Sequence, residues 1–167
     1  MAAYFAITDA CDANEPFLES GDIRILPPIF QMYGKRRAFS GRIVTVKVFE
    51  DNILVREFVA SKGHGRVLVI DGGGSMKCAL IGGKLSQVAR NNGWAGIVVN
   101  GCIRDVDDIN GCDIGVRALA AHPKKPKKNG AGERHSRIYI AGAEIHDGEW
   151  LYADTDGIIV SKTELSL

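Results

Sequence analysis

Between Val67 and Asp108 the chain alternates short apolar runs with glycine-rich turns, and that alternation leaves few folds open. Val67 to Ile70 is an unbroken apolar run that ends on Asp71 and three glycines, Gly72 to Gly74. Such a run with a glycine stop reads as a buried strand entering a tight turn. Gly82-Gly83 then opens a helical segment, Lys84 to Asn92, with Leu85, Val88 and Ala89 on one face and Gly93 as its C-terminal cap. Ala95 to Val99 reads as a second buried strand, turning at Asn100-Gly101 toward Arg104, Asp105, Asp107 and Asp108. After a short helical turn, Ile114 to Ala120 reads as a third, parallel strand. Strand, helix, strand with short connections predicts βαβ units. Ligands of open parallel sheets bind outside the carboxyl ends of the strands, and both glycine turns and the Arg/Asp cluster fall there.

The flanks fit around that centre. Residues 4–20 read as a helix that Pro16 breaks or restarts, and Pro27-Pro28 fixes an extended segment. Residues 41–49 alternate and are rich in β-branched side chains, so they read as a strand. Ile53 to Ala60 suits a short helix or a strand end, and 138–160 reads as β-structure with tight turns at Asp147-Gly148 and Asp154 to Gly157. No linker or repeat interrupts the 167 residues, which suffice for one core. The expectation is a single compact α/β domain, residues 1–167, with a central β-structure of βαβ units and a β-rich periphery.

Several function classes are excluded by composition. A net charge of +1 is no polyelectrolyte for nucleic acid. No apolar run reaches a membrane span and no targeting segment stands out, so a cytoplasmic, non-membrane protein is expected. Cys11, Cys78, Cys102 and Cys112 lack metal or redox spacing and read as reduced thiols. His64 reads as a solvated loop residue, and Asp154 with Asp156 as a turn, not a calcium loop. Residues 122–137 hold Lys124, Lys125, Lys127, Lys128, Arg134 and Arg137 and read as an exposed, mobile loop. No aromatic residue interleaves Lys124 to Arg137, so base stacking has no support there.

The chemistry sits at the glycine turns. Gly82 and Gly83 let backbone approach a ligand, and a helix start presents unpaired amides to an anion, either a carboxylate or a phosphate. The frame is neither a P-loop nor a Rossmann fingerprint. Asp105 and Asp108 are spaced to share a helical face, with Arg104 adjacent. Two carboxylates without a neighbouring histidine or cysteine suit Mg²⁺ or Mn²⁺ better than Zn²⁺.

The chain resembles the RraA-like family, which includes regulators of ribonuclease E activity and metal-dependent 4-hydroxy-4-methyl-2-oxoglutarate aldolases. The resemblance runs through TDACD at 8–12, LPPIF at 26–30, AFSGRIVTVKVFEDN at 38–52, VIDGGG at 69–74, IGGKLSQVA at 81–89 and ADTDGIIV at 153–160. Its most specific part is Gly83, twenty intervening residues, Arg104-Asp105, two residues, then Asp108. It implies a homotrimer with sites near subunit interfaces. It implies that Gly82, Gly83, Lys84 and Leu85 cradle the substrate's pyruvyl carboxylate, that Arg104 binds substrate and supports catalysis, and that Asp105, with Asp108, binds the metal. Some aldolases of the family carry an aspartate where Gly83 stands. The implied reaction is retro-aldol cleavage of 4-hydroxy-4-methyl-2-oxoglutarate and decarboxylation of oxaloacetate, both through a pyruvate enolate stabilised by the metal and Arg104. The alternatives are a non-enzymatic regulator with a ribonuclease partner, and a Schiff-base aldolase using Lys84.

Overall fold

The computed structural model describes residues 5–166. In chain order its elements are α1 (Ile7–Ala13), α2 (Glu15–Ser20), β1 (Ile23–Ile25), β2 (Gln31–Tyr33), β3 (Phe39–Lys47), α3 (Ile53–Ala60), β4 (Val67–Asp71), β5 (Ala79–Ile81), α4 (Gly83–Asn91), β6 (Gly96–Ile103), α5 (Val106–Asn110), β7 (Gly115–Ala121), β8 (Glu133–Arg134), β9 (Ile138–Ile140), β10 (Ala143–Ile145), β11 (Trp150–Asp154) and β12 (Gly157–Ser161).

The unbroken apolar runs have a simple cause: their strands are buried on both faces. In β4, Leu68 and Ile70 join a core under α3 and α4, while Val67 and Val69 face a second core under β9 to β12. β3 splits the same way, with Val44 and Val46 on one side and Ile43 on the other. Period-two alternation therefore distributes apolar residues to two cores, as parallel strands covered on both sides require.

β3, β4, β6 and β7 form the parallel centre. Antiparallel strands extend it, giving the path β1-β12-β11-β3-β4-β6-β7-β2, with β5 on β6 and β8 on β3. β1 and β2 lie at opposite ends of this path, yet only residues 26–30 join them. That connection reaches about 20 Å at full stretch, so the sheet must curl until its edges approach. Inside the curl, Arg117 of β7 is 2% exposed; it donates to the carbonyls of Arg37 and Asp154 and lies over the Phe39 ring. Burial pushes its guanidinium down to about 10, with Asp154 opposing the fall and Arg37 adding to it.

The α/β class with a parallel centre and β-rich flanks is as expected, and Ile53 to Ala60 is a helix burying Leu54, Val55 and Val59. At the N-terminus the helix restarts at Pro16 as expected, giving α1 and α2 with that proline in the first turn of the second; residue 4 of the expected span lies outside the described residues. Three details differ. The chain does not turn at Asn100-Gly101: β6 runs on to Ile103, with its register to β7 shifting between Val99 and Cys102. β5 was not expected, because three residues carry no periodicity. Finally, Asp147-Gly148 joins strands that do not pair with each other. The turn at Asp154 to Gly157 is a two-residue hairpin as expected, joining β11 to β12; a second two-residue hairpin turn, Ala141-Gly142, joins β9 to β10 with both residues at positive φ.

Candidate functional site

Neighbouring strands of the parallel centre deliver their ends to one place. β4 ends at Asp71, whose carboxylate accepts from the Gly73 amide at 2.9 Å and the Asn100 side chain at 3.1 Å. The Asn100 carbonyl in turn accepts from the amides of Gly72 and Gly74. This buried pair shapes the first glycine turn and leaves β5 to run into the second.

Gly82 is the N-cap of α4 and, being glycine, offers no capping side chain of its own. Gly83, the first helical residue, donates its amide to Asp105 Oδ2 at 2.9 Å. The amides of Lys84 and Leu85 have no intrahelical acceptor, as in any first turn. No acidic residue lies in that turn itself, so these two amides remain donors for an anion beside the Asp105 carboxylate that occupies the first.

The two glycines are required by close approach. A Cβ at Gly82 would stand 2.7 Å from Asp105 Oδ2 and 3.7 Å from Arg104 Nε. A Cβ at Gly83 would stand 2.6 Å from the Cβ of Asp108. So the structure brings Gly82, Gly83, Arg104, Asp105 and Asp108 together, with Lys84 and Leu85 as the next residues of α4. Lys84, Asp105 and Asp108 are exposed and Arg104 and Leu85 half-buried.

The reason for the convergence is not the one expected. Asp105 and Asp108 do not share a helical face: Asp105 is the residue before α5, held in the left-handed region at φ 61° and ψ 50°. A non-glycine residue there carries strain of about 1–3 kcal/mol. The kink aims the Asp105 carboxylate back at the Gly83 amide, while α5 carries Asp108 beneath Gly83.

Among the described residues no group of three or more His, Cys, Asp or Glu side chains is arranged to hold a metal. The donor set at this site is therefore two carboxylates, one oxygen of Asp105 being engaged by Gly83. That suits a hard cation which keeps several waters and takes further oxygens from substrate, and it does not suit a closed protein cage.

One contributor went unread in the sequence. β7 ends beside β6, and the following residues abut the site: Arg104 Nη1 donates to the Pro123 carbonyl at 3.4 Å, and the His122 amide donates to the Ile103 carbonyl at 2.9 Å. A histidine immediately after a parallel strand was the available signal. The basic segment that follows is exposed, but it is tied down. Asp51 accepts amides from Asn129 and Gly130, Lys127 exchanges backbone bonds with Glu50 and Asn52, and β8 pairs with β3.

Residues 7–160 match the model of the RraA-like family, Aldolase/RraA. The Arabidopsis thaliana protein named "Putative 4-hydroxy-4-methyl-2-oxoglutarate aldolase 3" is 64% identical over 167 residues, all of both chains. Among solved structures, the RNA-processing inhibitor RraA from Thermus thermophilis superposes with a TM-score of 0.91 at 40% identity, over 98% of this chain and 96% of that one. A Geobacillus kaustophilus protein titled S-adenosylmethionine: 2-dimethylmenaquinone methyltransferase also gives 0.91, at 41% identity over 96% and 97%.

Proposed function

The chain belongs to the RraA-like Aldolase/RraA family, and from that premise we propose that it is a divalent-metal-dependent lyase that forms pyruvate by cleaving carbon–carbon bonds. Its substrates are 4-hydroxy-4-methyl-2-oxoglutarate, cleaved by retro-aldol reaction, and oxaloacetate, which is decarboxylated. The observation that carries this reading is the convergence of an open helix start, one arginine and two carboxylates on Gly82-Gly83.

Asp105 and Asp108 would hold Mg²⁺ or Mn²⁺, which would supply Lewis-acid polarisation of a 2-keto group and neutralise developing negative charge. The protein's own groups do the rest. The amides of Lys84 and Leu85 bind the pyruvyl carboxylate. Arg104, beside Gly82, stabilises the enolate oxygen as charge develops there. In the retro-aldol direction the C3–C4 bond breaks as the C4 hydroxyl gives its proton to solvent water. The bonding pair moves through C3 to the 2-keto oxygen, leaving a pyruvate enolate and a second 2-keto acid. Solvent then returns a proton to C3 of the enolate to complete pyruvate. The bond from Gly83 to Asp105 keeps helix start and carboxylate in fixed relation while this happens.

The exposure of Lys84, Asp105 and Asp108 on one chain supports a site completed at a subunit interface. We expect a homotrimer, read as a solution mass of about three times 18.0 kDa; a monomeric mass would remove that expectation. A second reading, a protein-binding regulator of a ribonuclease, is favoured by the likeness to the Thermus inhibitor.

Oxalate tests the lyase reading, because it matches the planar pyruvate enolate. It should inhibit pyruvate release competitively with either substrate, and inhibition that excess substrate does not relieve contradicts a shared site.

A further inference from the structure

4-Hydroxy-4-methyl-2-oxoglutarate carries two carboxylates, and the helix start with Arg104 accounts for the pyruvyl one only. The exit of β7 supplies a partner for the other. Ile103 and Ala121 pair at the ends of β6 and β7, so His122 leaves the sheet alongside Arg104. Its amide is fixed to the Ile103 carbonyl and the next carbonyl, that of Pro123, accepts from Arg104. The Lys124 carbonyl accepts from the Ala79 amide at 2.9 Å, at the start of the strand that runs into Gly82. His122 to Lys124 thus bridges the two strands that carry the two halves of the site.

The ring itself is held. The Lys124 amide donates to His122 Nδ1 at 3.1 Å. A neutral imidazole that accepts at Nδ1 carries its proton at Nε2 and is a donor there. Among the described residues Nε2 has no hydrogen-bond acceptor, and the residue as a whole is half-buried. Lys124 and Lys125, which follow Pro123 along the chain, are both exposed and add positive charge to this segment.

We propose that His122 is a substrate-binding residue whose Nε2–H holds the carboxylate on C4, so that the site selects 2-keto acids bearing a second acid group. This rests on the pyruvate-forming reading above. The plain alternative is that the ring serves only as a strut for the Lys124 amide.

Two variants and two reactions separate these. His122→Phe keeps a planar ring without a donor, and His122→Gln keeps an N–H donor at similar reach. Cleavage of 4-hydroxy-4-methyl-2-oxoglutarate is compared with exchange of the pyruvate methyl protons in D₂O, followed by NMR, since pyruvate has no C4. His122→Phe should raise KM for the cleaved substrate about 10- to 100-fold, as loss of a hydrogen bond to a charged group does. It should leave pyruvate exchange within about twofold of wild type, and His122→Gln should restore most of the KM. An unchanged KM in His122→Phe, or equal losses in both reactions for both variants, overturns the assignment. A wild-type protein that neither cleaves nor exchanges overturns the lyase reading, and this inference with it.

Discussion

At the scale of single residues, the site turns on which side chain fills the space under the start of α4. A Cβ at Gly83 and the Cβ of Asp108 compete for one position, 2.6 Å apart. An aspartate at position 83, as in some aldolases of the family, and an aspartate at 108 are thus steric alternatives that put a carboxylate in the same place. Gly83→Asp alone should overpack the site, costing about 1–3 kcal/mol and most activity. Adding Asp108→Gly should recover metal-dependent activity, a coupling read from a double-mutant cycle. Additive losses would refute the shared space. Asp108→Ala should raise the Mg²⁺ concentration needed for activity about 10- to 100-fold, the usual effect of removing a group that orients a metal or its waters. Asp107→Ala, exposed and without contact to either glycine, should be nearly silent. The reverse ranking would misplace the site. Gly83, Arg104-Asp105 and Asp108 were singled out through the family resemblance, while the spacing of the two aspartates suggested a shared helical face that the structure does not have. That Asp105 sits in a left-handed kink was not legible, because a non-glycine residue gives no warning of positive φ.

At the scale of elements, the basic segment after β7 shows where local sequence misleads. Lysines, prolines and glycines at 122–137 read as mobile, but the anchors lie outside the segment, in Asp51 and in the edge of β3. Asp51 is 2% exposed. Burial pushes its carboxyl up, but the amides of Ile53, Asn129 and Gly130 and the charge of Lys127 together hold it below the ordinary 3.8. A carboxyl lowered in the folded state stabilises the fold above its unfolded value, and that contribution is lost as pH falls through the folded value. The segment should therefore loosen only below about pH 3.8. Asp51→Asn should loosen it at neutral pH, costing about 1–3 kcal/mol for weakened buried donors. Limited trypsin digestion reads this directly: cleavage after Lys124, Lys127 and Lys128 should accelerate in Asp51→Asn. Equal digestion of variant and wild type would show that the anchor is elsewhere. The same locality explains the missed β5 and the misplaced hairpin turn. Three-residue strands have no period to read, and Ala141-Gly142 is a weaker signal than Asp147-Gly148, although only the former joins strands that pair.

At the scale of the whole molecule, the apolar runs announced a parallel centre because both its faces are buried. The curl that brings β1 toward β2 was not announced, since it depends on pairings between residues more than a hundred positions apart, such as Ile23 with Ser161. Parallel pairing groups the carboxyl ends of β4, β5, β6 and β7, and the proposed function rests on that grouping. Whether it is an active centre is settled by one measurement on the intact protein. Metal-stripped protein is given 4-hydroxy-4-methyl-2-oxoglutarate or oxaloacetate, and pyruvate is followed before and after Mg²⁺ or Mn²⁺ is restored. Release from both substrates that appears with the metal and vanishes with a chelator is the predicted result. No pyruvate from either substrate with metal present, or release that a chelator leaves untouched, would contradict a metal-dependent lyase at Gly82-Gly83, Arg104, Asp105 and Asp108.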